Sequence, residues 1–252
     1  MPEDDWAPVV YGRLLHVDDW WRADPSGRDP WVRRVVQAAV SSGWELDRSP
    51  RLLLAHSGDR CLVGVACLCR DLGTELDSDG RRPFYCFVGW LGTDRAAAPA
   101  FDQFRAGWTR WAAATYDAWV RPDWHRTVAG PVHTPPGGPA PWGVVPPPAG
   151  RPLPSVADAV WLHPAARTPA VWEDARSTPR PVVLLAGLRT ARRTRLRHVT
   201  DACVADVASP TTMATAPEPV EPPEPEEDPP VPPPADPPRR TGRTGRRWWP
   251  LR

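Results

Sequence analysis

Three of the five cysteines and one of the six histidines fall in "AHSGDRCLVGVACLCRD", residues 55–71. A thiol beside an imidazole is the material of nucleophilic catalysis, and both groups also bind zinc. A two-residue turn at Gly58-Asp59 would fold this stretch into a hairpin, pairing Ser57 with Arg60 and His56 with Cys61. Period-two alternation then places Leu52, Leu54 and His56 on one face beside Cys61, Val63 and Val65. Cys67 and Cys69 continue that face, and Cys86 on the following strand lies within reach. The catalytic alternative is therefore His56, Cys61 and Cys86. Two features oppose it. C-x-C on a strand face is not the C-x₂₋₄-C spacing of a zinc knuckle, and Cys/His enzymes bring the two residues from separate strand ends. Both faces of "CLVGVACLC" are apolar, as in a central strand covered on both sides, where cysteine is a small buried hydrophobe. The sequence thus assigns no catalytic residue, no metal and no cofactor.

A second cluster is "RTARRTRLRHV". Arg189, Arg192, Arg193 and Arg195 stand close enough to hold phosphate groups. No aromatic residues are interleaved for base stacking, so nucleic acid is disfavoured. "DSDG" (77–80) begins like a calcium loop but lacks the closing Glu, and reads as a hairpin turn. The adjacent carboxylates of "HVDDWW" point apart in a strand or turn and suit capping rather than acid–base work. Phe101, Phe104, Trp108, Trp111, Thr115 and Trp119 recur at helical spacing and read as a core face. At the end of that helix, Trp119, Trp124 and His125 are the aromatic groups expected to stay accessible, with Trp124 and His125 as partner contacts.

Composition restricts the chemistry further. All 31 cationic side chains are Arg, and the chain contains no Lys, Ile or Asn. These three residues have AT-rich codons, so a GC-rich bacterial genome is expected, and Arg clusters carry less meaning in such a chain. Without Lys there is no P-loop lysine, Schiff base or kinase-type ATP lysine. Neither G-x-G-x-x-G nor G-x-S-x-G occurs, and no hydrolase, kinase, zinc-finger or helix-turn-helix pattern is intact. The net charge of +1 calls for neither nucleic acid nor membrane. An acidic start, no membrane-length apolar run and an odd cysteine count lead to the expectation of a cytoplasmic protein with reduced thiols.

These residues need elements to position them. Strands are expected at 7–17, at both arms of the 51–71 hairpin, at 82–92, and in "DAVWLHP" and "PVVLLAGL". Helices are expected at 29–43, with Pro30 in the first turn, at 98–120, and at 191–207 with Leu196, Val199, Cys203 and Val207 on one face. The fold class is α+β, a mostly antiparallel sheet with helices packed on one face. Residues 1–129 form the main body, 130–155 a Pro/Gly-rich irregular segment, and 156–207 the strands and helix that complete the fold. Residues 208–252 read as a disordered acidic Pro-rich linker: 217–238 hold 12 Pro and 7 acids. The chain then closes on "RRWWPLR", where Arg246, Arg247, Trp248 and Trp249 resemble interface hot-spot residues. The expectation is a non-catalytic interaction or regulatory accessory protein that presents this motif on a stiff linker. A protein partner is favoured, and an anionic membrane surface is the other candidate for the same motif.

Overall fold

The computed structural model describes residues 5–18, 20–41, 45–149, 151, 153–154 and 159–214. The Arg246–Trp249 motif and the acidic Pro-rich segment lie outside them. In chain order the elements are β1 (Asp5–Gly12), β2 (Trp20–Ala23), α1 (Pro30–Val40), β3 (Arg51–Ser57), β4 (Arg60–Leu68) and β5 (Tyr85–Gly92). There follow α2 (Phe101–Val120), β6 (Gly138–Pro139), β7 (Ala159–Pro164), α3 (Thr168–Ser177), β8 (Val182–Leu188), β9 (Asp201–Val204) and β10 (Thr211–Ala214). All ten strands join one sheet, ordered β10-β7-β9-β8-β3-β4-β5-β1-β2, with β6 paired to β1.

The sheet is antiparallel except for β7, β9 and β8, which run parallel to one another. The β3–β4 hairpin has the expected register: Gly58 supplies the positive φ of the turn, Ser57 faces Arg60 and His56 faces Cys61. Alternation along β3, β4 and β5 sends side chains into two cores. Leu52, Leu54, Val63, Val65 and Val88 meet Phe101, Phe104 and Trp111 of α2 and Trp172 of α3. Leu53, Ala55, Leu62, Ala66 and Phe87 meet Val32, Val35, Val36 and Ala39 of α1. The helices therefore cover both faces, not one. That accounts for the doubly apolar character of β4.

α1 begins at Asp29, whose carboxylate accepts from the Trp31 backbone N–H at 2.8 Å and also pairs with Arg60 beside the hairpin turn. The aromatic stripe of α2 is core, as expected. The 77–80 stretch is a turn in which Asp79 accepts from the backbone N–H groups of Arg81 and Arg82. Part of the Pro-rich stretch 130–155 lies over the α2/α3 layer. Trp142 sits in a cluster with Trp6, Trp90 and Trp111, and Arg176 donates to the carbonyls of Ala96 and Val145.

Two further expectations are corrected. Residues 191–207 do not form a helix: a 3₁₀ turn at Arg193–Arg195 leads to β9. Leu196, Val199 and Cys203 matched a helical stripe, yet Leu196 and Val199 enter the α1 core while Cys203 points into the opposite one. The alternation of 201–204 between faces is that of a strand. Second, residues 211–214, placed by sequence in the linker, form edge strand β10 against β7. Among the described residues no helix is long and apolar enough to cross a membrane.

The crossovers of the parallel half share one hand. From β7 the chain steps two positions along the sheet by way of α3. From β8 it steps one position back across the other face, where Leu196 and Val199 are buried. Reversing both direction and face keeps the same hand, as the single-handedness of parallel connections requires.

Candidate functional site

The structure separates the sequence-derived thiol–imidazole set. His56 and Cys61 are cross-strand partners, but Cys86 stands opposite Cys67. Six residue steps of extended β4 separate Cys61 from Cys67, about 20 Å at the rise of a strand. The His56 Nε2 is 3.0 Å from the Ala175 carbonyl oxygen, so it carries the proton and donates. Burial lowers the His56 pKa against that hydrogen bond, and Arg95 and Arg180 lower it further. Cys61 is 0% exposed, and burial pushes its thiol far up. Both groups are thus held neutral in a closed core, the opposite of what an attacking thiolate needs.

The other thiols form a closed chain. Cys67 and Cys86 Sγ atoms lie 3.9 Å apart. Cys69 donates to the Tyr116 hydroxyl at 3.3 Å, which in turn donates to the Leu76 carbonyl at 3.2 Å. Contact with Cys67 and Cys69, then burial, raises the Cys86 pKa well above its ordinary value. Among the described residues no group of three or more His, Cys, Asp or Glu side chains is arranged to hold a metal ion.

Sequence reasoning missed a buried polar network in the parallel half. Asp201 of β9 accepts from Arg180 at 2.7 Å, from the Thr200 hydroxyl at 2.8 Å and from His163 Nε2 at 3.1 Å. His163 of β7 is in register with Cys203, whose thiol burial pushes up to about 11. Cys, His and Asp thus share one patch, but all three are buried, and Asp201 already accepts from three donors. No local signal announces this network, because His163 and Asp201 meet through a parallel pairing 38 residues apart.

Of the three aromatic groups expected to be accessible, only His125 is exposed; Trp119 is partly buried against the core. Trp124 is 8% exposed and packs on Phe84 with ring centroids 5.7 Å apart, which removes it as a partner contact.

The arginine cluster divides. Arg195 turns to Glu45 at 2.6 Å, and Glu45 also takes Arg51 at 3.4 Å. The Arg193 side chain lies outside the described set. Arg189 and Arg192 instead line a cleft of about 450 Å³ with Glu45, Asp47, Arg48, Thr190, Ala205 and Asp206. Its walls are the loop leading into β3 and the loops leaving the carboxyl ends of parallel strands β8 and β9. The lip is fixed by backbone hydrogen bonds from Ala205 to Leu188 at 2.9 Å and from Asp206 to Arg189 at 3.2 Å. It is shaped by an irregularity in the β8–β9 register between Leu185 and Leu188. Gly187 there has φ 90°, and a Cβ would sit 2.3 Å from the Pro50 carbonyl oxygen, so only glycine fits.

No protein-family model matches the sequence, and no curated protein matches it. The cleft and the closed thiol cores must therefore be read on their own chemistry.

Proposed function

We propose that this is a non-catalytic, cytoplasmic interaction or regulatory accessory protein that acts on a protein partner. One observation carries the reading. The thiols and the imidazoles His56 and His163 are enclosed by the cores, while the open cleft is walled by guanidinium and carboxylate groups. Enclosed thiols and two enclosed imidazoles, with fixed charge left exposed, favour binding over bond breaking. The partner contact is assigned to Arg246, Arg247, Trp248 and Trp249, on the strength of their residue types: indole and guanidinium groups dominate interface hot spots.

The test uses the full chain and a partner first co-purified with it and then reconstituted from pure components. Trp248→Ala with Trp249→Ala is expected to weaken that binding at least tenfold. His56→Gln and Cys61→Ala, provided they fold, are expected to leave binding and cellular activity intact. Cellular activity lost in a folded His56→Gln or Cys61→Ala protein would overturn the non-catalytic reading. Unchanged partner binding in the double Trp variant would remove the terminal motif from it.

A further inference from the structure

We propose that the cleft between the loop leading into β3 and the loop leaving β8 binds a small phosphate ester, with Arg48, Arg189 and Arg192 as its anion ligands. Charge pairing is the first ground. Several arginines elsewhere in the body are committed, Arg22 to Asp123, Arg60 to Asp29, Arg176 to Glu173 and Arg180 to Asp201, while others such as Arg105 stand singly on the open surface; what sets the cleft apart is that three uncommitted arginines line one cavity. In the cleft wall Glu45 is neutralised by Arg51 and Arg195. Arg48, Arg189 and Arg192 are exposed and make no side-chain ion pair or hydrogen bond among the described residues. Three guanidinium groups thus face the cleft against two unpaired carboxylates, Asp47 and Asp206.

Shape is the second ground. The cleft volume of about 450 Å³ is that of a small-molecule site. It lies outside the carboxyl ends of parallel strands, where open α/β sheets receive ligands. Arg48 comes from one wall and Arg189 and Arg192 from the other. A ligand reaching all three must offer acceptor oxygens in several directions. A tetrahedral phosphate does so, whereas a planar carboxylate presents two oxygens in one plane.

The two carboxylates define the rest of the ligand. Asp47 and Asp206 would repel a continuous polyanion, and among the described residues no aromatic side chain lines the cleft to stack a base, so a nucleic-acid strand is disfavoured. They are acceptors for hydroxyl or amino groups. The ligand class is therefore a phosphate monoester of a hydroxyl-bearing molecule, such as a sugar phosphate. Such a ligand would act as an effector of the accessory protein, and its binding does not depend on the terminal motif.

The experiment is thermal unfolding of the full chain titrated with glucose 6-phosphate, inorganic phosphate, citrate and sodium chloride at matched ionic strength. A saturable rise in Tm is expected with glucose 6-phosphate, a weaker one with phosphate, and none beyond the salt effect with citrate. Arg189→Ala with Arg192→Ala is expected to abolish the rise. Arg105→Ala, an exposed arginine on α2, should keep it. Arg48→Gln, from the other wall, should raise the half-saturating concentration at least tenfold and decides the matter if the double variant fails to fold. Absence of a saturable response to both phosphates, an equal response to citrate, or an unchanged response in the cleft variants would each overturn the proposal.

Discussion

Cysteine in this protein behaves as a hydrophobe. Cys67 has another sulfur, Cys86, as its polar neighbour at 3.9 Å. Replacing it with serine puts a hydroxyl where no strong partner waits, at a cost of about 1–3 kcal/mol. Urea unfolding of Cys67→Ser should show that loss as a lower midpoint with an unchanged slope, and the native wild type should react slowly with a thiol reagent. Burial also makes the fold sensitive to alkali. The Cys203 thiol ionises near 9.0 when exposed and is pushed up to about 11 in the fold. Above pH 9 the unfolded chain releases a proton that the native chain keeps. Stability is therefore full below pH 9 and falls as pH rises, by up to about 1.4 kcal/mol per pH unit for one such thiol. Cys61 and Cys86 shift in the same direction. Denaturation midpoints between pH 8 and 10 should fall for the wild type and fall less steeply for Cys203→Ala.

At the scale of the element, legibility followed sequence distance. The β3–β4 register could be read because Gly58-Asp59 fixes it locally, and α1 because Asp29, Pro30 and an apolar stripe agree. The 191–207 stretch misled because apolar residues three and four apart satisfy a helix, while a short strand alternating between two cores uses the same residues. The cleft was half legible. Arg189 and Arg192 stood out, but Arg48 arrives from a loop far away in sequence, and Arg195 is diverted by Glu45. The thiol–imidazole set failed for a metric reason: Cys86 reaches the correct face but at the far end of β4. The buried Asp201 is where the parallel strands depend on one residue. Asp201→Ala leaves Arg180 and His163 without their shared acceptor, and should cost about 3–5 kcal/mol in chemical denaturation. Gly187→Ala should also destabilise, by about 1–3 kcal/mol, since it requires both a positive φ and a Cβ where the Pro50 carbonyl stands.

As a whole, the sheet joins two kinds of construction. β3, β4, β5, β1 and β2 form an antiparallel half, while β7, β9 and β8 form a parallel half that needs crossovers on both faces. The seam is the β3–β8 pair, and the arginine cleft opens at its end, where the loops of both halves meet. The outer boundary of the parallel half is β10, which matches β7 from Thr211–Leu162 to Ala214–Ala159. Its side chains are mostly exposed, Met213 alone being partly buried against the α1 core. Its value to the fold is thus chiefly the backbone ladder it offers β7. Without β10, the β7 edge presents unpaired N–H and C=O groups, a template for association with other chains. A chain ending at Val207 should therefore be less stable than one ending at Ala216, by about 1–2 kcal/mol for a lost short ladder and one half-buried side chain. It should also self-associate at concentrations where the longer chain does not. Thermal unfolding of the two chains side by side, with sedimentation to read association, gives the comparison. Equal Tm values and equal sedimentation would show that β7 holds the edge of the sheet unaided.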